Sequence, residues 1–260
     1  MIKLSKRLQI IADQVKQGAK IADIGSDHGL LPVYLLQSGR AVSAVAGELN
    51  EGPYRAACKQ VADAGLTDKI AVRQGDGLSV LTPGEADTVT IAGMGGSLMA
   101  SILEQGNADG KLLGVKELIL QPNVGEAEVR KWLVSHHWVL TSEHIIEEDG
   151  HFYEILHAQQ GADAQAADES NRRLYNPASF ILQRDPAEQS KWLYWMGPHL
   201  LKASPAAFIG KWEQEIRKLE RIYKQVSQSN LAEAKQKAAD FQAEIETIKE
   251  VLACLQTAKS

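Results

Sequence analysis

Residues 20–29 read KIADIGSDHG. The stretch opens with the short apolar run of a buried strand and breaks at Gly25 into small and polar residues. A new apolar run then begins at Leu30, with Pro32 in its first turn, where a missing N–H is tolerated in a helix. A strand that turns through glycine into a helix leaves backbone N–H groups at the mouth of a cleft, where a charged or zwitterionic ligand can be held. Asp23 lies two positions before the first glycine, so a carboxylate stands at the same place.

The dinucleotide fingerprint requires Gly-x-Gly-x-x-Gly, and here Gly25 is followed by Ser26, Asp27, His28 and Gly29, which does not fit it. An acidic residue ahead of a Gly-x-x-x-Gly turn resembles motif I of the class I S-adenosylmethionine methyltransferases. The resemblance implies that Asp23, Gly25, Ser26, Asp27, His28 and Gly29 surround the methionine part of that cofactor. A carboxylate beside a sulfonium and an ammonium is favourable, whereas beside a pyrophosphate it repels.

Downstream, short apolar runs end repeatedly in a glycine-rich or acidic turn. Ala41–Ala46 runs into Gly47-Glu48-Leu49-Asn50, which places Glu48 about 20 residues after the first turn, the spacing at which a carboxylate meets a ribose diol. Lys69–Arg73 runs into Gly75-Asp76-Gly77, where this fold class puts the side chain that meets an adenine amino group and where glycine lets the backbone approach a flat ring. Asp87–Ala92 runs into Gly93-Met94-Gly95-Gly96-Ser97, with room for a planar base beside a pliable methionine. Glu117–Leu120 runs into Gln121-Pro122-Asn123, with Asn123 offering a donor and an acceptor at the cleft rim. After a helix around Glu126–Val134, the alternating runs Trp138–Ile145 and Phe152–His157 flank Asp149-Gly150, a hairpin signal. The expected fold is α/β: a Rossmann-like, seven-stranded, mostly parallel sheet closed by an antiparallel pair.

The chain has 260 residues, enough for one α/β domain and an appendage, expected as 1–160 and 161–260. Residues 161–169 are polar and Ala-rich and read as a linker. Leu174–Pro205 reads as short helices broken by Pro177, Pro186, Pro198 and Pro205. From Trp212, apolar residues step by four and three through Ile216, Leu219, Tyr223 and Val226, and again from Ala238 through Phe241, Ile245, Ile248, Leu252 and Leu255. That periodicity predicts an antiparallel, coiled-coil-like helical hairpin over about 206–257, its second helix opened by Asn230 and Glu233 as a capping box. The seam can close within one chain or between two, so a monomer or weak dimer is expected.

Net charge is −5, yet over 172–224 basic residues outnumber acidic ones two to one. Such a face suits phosphates, or is simply a solvated helix surface. No apolar run has the length of a membrane span. Two separated cysteines and no apolar leader point to a reducing, cytoplasmic setting. The histidines cluster at His136, His137, His144, His151 and His157 without a zinc-type pattern, so no metal is expected.

Eight stretches together, LSKRL (4–8), ADIGSDHG (22–29), LP (31–32), AGELNEGP (46–53), GDGL (75–78), IAGMGGSL (91–98), LILQPN (118–123) and EEDGHFYEI (147–155), resemble the bacterial tRNA adenine-22 N1-methyltransferase family. The resemblance covers almost the whole chain, hairpin included. It implies methyl transfer from S-adenosylmethionine to N1 of an adenine in tRNA. Asp27, Met94, Gly95 and Asn123 are then candidates for holding the base. Asp23, Gly25, Ser26, Asp27, His28, Gly29, Glu48, Leu49, Asn50, Asp76, Gly77, Gly93 and Met94 are candidates for the cofactor. Lys3, Lys6, Arg7, Arg217, Lys218 and Arg221 are candidates for tRNA phosphates. Two other readings stay open: a methyltransferase acting on another RNA or a small molecule, and a non-catalytic cofactor-binding protein that docks through its hairpin.

Overall fold

A computed structural model describes residues 2–229 and 231–257. The chain divides into two compact units, Met1–Leu174 and Tyr175–Ser260.

The first unit contains α1 (Lys6–Gln14), β1 (Ala19–Ile24), α2 (Leu30–Gln37), β2 (Ala41–Glu48), α3 (Glu51–Asp63), β3 (Ile70–Gln74), β4 (Thr88–Gly95), α4 (Gly96–Ala108), β5 (Glu117–Val124), α5 (Glu126–Ser135), β6 (Trp138–Glu148), β7 (His151–Gln160) and α6 (Ala164–Leu174). Its seven strands form one sheet in the order β3-β2-β1-β4-β5-β7-β6, as expected from the sequence. The pairs among β1 to β5 are parallel, and β7 runs antiparallel to both β5 and β6. Strand order reverses between β1 and β4, so the carboxyl end of β1 is the topological switch point, where such sheets open a crevice. The stretch at 20–29 delivers its turn there.

β1 and β5 are buried on both faces and accordingly read as near-continuous apolar runs, with Ile21, Ala22, Leu118, Ile119 and Leu120 almost wholly enclosed. α1 is capped by Ser5, whose hydroxyl accepts from Leu8 N–H at 3.2 Å, and packs Ile11, Ala12 and Val15 into the core. Ile11 and Val15 each contribute about 1.5–3 kcal/mol on full burial. The apolar spacing from Leu4 to Val15 therefore outlines more than the helix: Leu4 precedes the cap, and Val15 follows the last turn.

Two features depart from the sequence reading. The polar stretch after β7, expected as a linker, is mostly helix: Asp163 Oδ1 accepts from Ala166 N–H at 2.8 Å, and α6 docks through Ala167 and through Asn171, which donates to the Trp138 carbonyl at 3.0 Å. A helix that packs through one alanine and one asparagine carries no apolar stripe to be read. The second feature is a charge cluster in the core. Arg130 of α5 donates to Glu143 of β6 at 2.8 Å and pairs with Glu154 of β7, all three side chains being fully enclosed.

The second unit contains a short 3-10 turn at Pro177–Ser179, then α7 (Pro186–Met196), α8 (Pro198–Ala203), α9 (Ala206–Val226) and α10 (Ala232–Thr257). Pro177, Pro186 and Pro198 start these elements rather than interrupt them, as proline does at a first helical position. α9 and α10 pair through the expected seam, with Trp212, Ile216 and Leu219 buried on one side and Ala238, Ile245, Ile248, Leu252 and Leu255 on the other. Trp192 meets Trp212 edge-on at 6.5 Å between ring centroids. The expected cap at Asn230 lies outside the described residues.

Candidate active site

The turn after β1 is held in an uncommon backbone state. Gly25, Asp27, His28 and Gly29 all have positive φ, at 70°, 40°, 68° and 67°. For Asp27 and His28 this left-handed region carries a steric cost that surrounding contacts must offset. The contacts come from β2: Gly47 O accepts from Gly25 N–H at 2.9 Å and Ser26 N–H at 3.2 Å, and the Glu48 carboxylate accepts from Asp27 N–H. Gly25 also has a packing reason to be glycine, since a Cβ there would overlap the Met94 methyl group.

Asp23 stands between neighbouring strands, paired in register with Ala46 of β2 and Thr90 of β4. Its two oxygens accept from Ser26 Oγ and Thr90 Oγ1, each at 2.6 Å. Burial pushes its pKa above the usual carboxylate value despite these hydrogen bonds. Burial also raises Glu48, with Asp27 N–H acting in the opposite direction. The turn is therefore fixed by two carboxylates held in an enclosed, negatively biased setting.

Facing it, the loop after β4 is locked to β5 by amides. Gln121, wholly buried, accepts from Gly93 N–H at 3.1 Å and from the Arg7 guanidinium through Oε1. Its Nε2 donates to Pro122 O at 2.9 Å and to Asn123 Oδ1 at 3.1 Å. Asn123 Nδ2 in turn donates to Gly93 O at 2.8 Å. Arg7 also lies over the Tyr153 ring, 5.3 Å from its centroid, so α1, β5 and β7 meet at this side chain.

Turn and amide network enclose a cleft of 380 Å³, within the range of about 300–1,000 Å³ typical of small-ligand sites. Of the residues picked out in the sequence, Asp23, Gly25, Ser26, Asp27, Gly93, Met94, Asn123 and Arg7 line it. Leu8, Leu30, Ala92 and Tyr153 line it too and were not picked out. His28, Gly29, Glu48, Leu49, Asn50, Asp76, Gly77 and Gly95 are outside this lining. Glu48 and Leu49 adjoin the end of β3, where Gly75 N–H donates to Glu48 O at 2.8 Å and Gln74 Nε2 to Leu49 O at 3.3 Å. Asp76 is exposed ahead of the 3-10 turn Gly77–Val80. Lys3 and Lys6 are exposed near the start of α1. On α9, Lys218 pairs with Glu215 at 3.0 Å, and Arg221 Nε donates to Arg217 O at 3.4 Å. Besides Leu8, Leu30, Ala92 and Tyr153, sequence reading missed Gln121 and Thr90, which hold the loop and Asp23. A polar residue closing an apolar strand, as Gln121 does in LILQPN, was the available signal.

The lining suits a cationic, zwitterionic cofactor better than a polyanionic one, because Asp23 at the end of β1 and Asp27 in the turn flank the place where a pyrophosphate would have to rest. Among the described residues, no group of three or more His, Cys, Asp or Glu is placed to hold a metal ion.

Comparison with known proteins resolves the family. Residues 21–250 match the family TrmK, tRNA (adenine(22)-N(1))-methyltransferase. The chain belongs to the TrmK family. It is 43% identical over 252 residues to the tRNA (adenine(22)-N(1))-methyltransferase of Bacillus subtilis (strain 168), a match covering 96% of this chain and 98% of that protein. The crystal structure of the B. subtilis M1A22 tRNA methyltransferase TrmK superposes with a TM-score of 0.80 at 42% identity, covering 97% of this chain and 100% of that one. Streptococcus pneumoniae Sp1610, a putative tRNA (m1A22) methyltransferase solved in complex with S-adenosyl-L-methionine, gives a TM-score of 0.76 at 39% identity, covering 96% and 100%. The TrmK fold thus extends through both units of this chain.

Proposed function

We propose that this chain transfers the methyl group of S-adenosylmethionine to N1 of adenine 22 in tRNA; the family's description names that position, and the Sp1610 complex names that cofactor. The observation that carries the reading is the cleft itself: an acidic glycine turn at the switch point faces an amide-locked loop across a space suited to a small cofactor. When bound, the cofactor supplies a methyl group made electrophilic by its sulfonium.

The residues of the turn, Asp23, Gly25, Ser26, Asp27, His28 and Gly29, hold the methionine end, with Asp23 and Asp27 contributing negative potential. Glu48, which accepts from Asp27 N–H through one carboxylate oxygen, is the residue for the ribose diol, together with Leu49 and Asn50. Asp76 and Gly77 flank the cofactor's adenine. Asp27, Met94, Gly95 and Asn123 receive the target base, with Gly93 and Met94 also on the cofactor side. Adenine N1 attacks with its own in-plane lone pair, so no general base has to remove a proton first. Rate comes from alignment of N1 with the methyl group. Because N1 lies on the pairing edge, the base must be unpaired or extruded to enter.

Lys3, Lys6 and Arg7 of the first unit, and Arg217, Lys218 and Arg221 of α9, contact tRNA phosphates. The excess of basic residues over 172–224 supports that role. The protein works in the cytoplasm as a monomer or weak dimer, without a metal. The test is incubation with unmodified tRNA and labelled S-adenosylmethionine, followed by nucleoside analysis. Label in 1-methyladenosine supports the proposal, and label in another nucleoside, or none with the cofactor bound, overturns it.

A further inference from the structure

The amide network fixes more than the shape of the loop. Gln121 has its full complement of four hydrogen bonds: Oε1 accepts from Arg7 and Gly93 N–H, and Nε2 donates to Pro122 O and Asn123 Oδ1. Since a guanidinium and a backbone N–H only donate, the end of Gln121 that meets them must be its oxygen. The orientation of Asn123 follows: its oxygen faces Gln121 Nε2 and its nitrogen faces Gly93 O at 2.8 Å. An amide has two donor and two acceptor positions, so Asn123 keeps one N–H and one lone pair beyond these bonds, on an exposed side chain that lines the cleft.

A donor and an acceptor carried by one side-chain amide can meet adenine along either of two edges. One is N6–H with N1, the other N6–H with N7. The first is incompatible with the reaction, because a donor on N1 would occupy the lone pair that must attack the methyl group. The second leaves N1 uncovered, and it is the pair that asparagine and glutamine use in reading adenine in nucleic acids. Resting on the function proposed above, we infer that Asn123 reads the N6/N7 edge of the target adenine, Oδ1 accepting from N6–H and Nδ2–H donating to N7, and that Arg7 and Gln121 are positioning residues that hold it in this orientation. The arrangement discriminates against guanine twice over: guanine presents O6, an acceptor, to Oδ1, and its N1 carries a proton instead of a free lone pair.

The test compares two tRNA transcripts joined from synthetic pieces, one with adenosine and one with 7-deazaadenosine at the target position. The deaza base keeps N1 and N6 and replaces only the N7 acceptor. The full chain is expected to show kcat/KM about tenfold lower on the deaza substrate, the factor of one lost hydrogen bond. Asn123→Ala, a change at an exposed position, is expected to lower kcat/KM on the adenosine substrate and to treat both transcripts equally. 1-Methyladenosine formed with equal kcat/KM on both substrates by the unaltered chain, or a deaza penalty that persists in Asn123→Ala, overturns this inference while leaving the methyltransferase reading intact. Absence of 1-methyladenosine on the adenosine transcript overturns both.

Discussion

Replacing Asp23 by asparagine separates the fold from the cofactor site. The side chain keeps its size, and because the Ser26 and Thr90 hydroxyls both donate and accept, its two hydrogen bonds can be kept by reversing one of them. What disappears is a buried negative charge. Burial raises the folded-state pKa of Asp23 above its unfolded value, so the native state holds the proton more tightly. Its contribution to stability is therefore present in full below the unfolded value and is lost as pH rises through the folded value. Asp23→Asn escapes that loss. Its melting temperature is expected to match the parent's in acid and to exceed it as pH climbs past the carboxylate range. Cofactor binding is expected to move the other way. A charged partner is worth about 1.5–3 kcal/mol, so the Kd for S-adenosylmethionine should rise roughly tenfold to a hundredfold at neutral pH. Titration calorimetry and a melting series from acid to neutral pH measure both. An unchanged Kd, or a melting temperature that falls at neutral pH, would refute the reasoning.

Three further outcomes follow from the packing and the charge pattern. At Gly96 a Cβ would overlap the Gly125 carbonyl, whereas nothing lies within 4 Å of a Cβ at Gly95; Gly96→Ala should cost about 1–3 kcal/mol in urea unfolding and Gly95→Ala much less. Arg130→Met leaves Glu143 and Glu154 enclosed without their guanidinium and should cost about 3–5 kcal/mol, with Glu143→Leu and Glu154→Leu restoring much of it. Charge reversal at Arg217 and Arg221 should weaken tRNA binding and reduce its logarithmic salt slope by about one for each phosphate no longer neutralised, read by filter binding at several salt concentrations, while S-adenosylmethionine affinity stays constant.

The parallel sheet was legible because each of its strands announces itself twice, by an apolar run and by the small or polar residues that close it. That local chemistry by itself puts Asp23, Gly25, Ser26, Asp27, Gly93, Met94 and Asn123 at one edge of the sheet. The hairpin of α9 and α10 was legible for a similar reason, since its seam repeats by fours and threes over both helices. What stayed hidden depends on contacts between segments far apart in sequence. Gln121 and Arg7 are separated by more than 100 residues, and only the fold shows that one orients the other. Glu143 and Glu154 interrupt apolar strands, and only the position of Arg130 on α5 explains why they face inward. α6 was missed because its contact surface is an alanine and an asparagine, which carry no hydrophobic periodicity.

The most direct test of the account is methylation of a tRNA transcript with adenosine at position 22 beside one with guanosine there. The account predicts about one methyl group per adenosine transcript, recovered as 1-methyladenosine, and none on the guanosine transcript. Equal incorporation into both, or a methyl group recovered on any other atom, would contradict it.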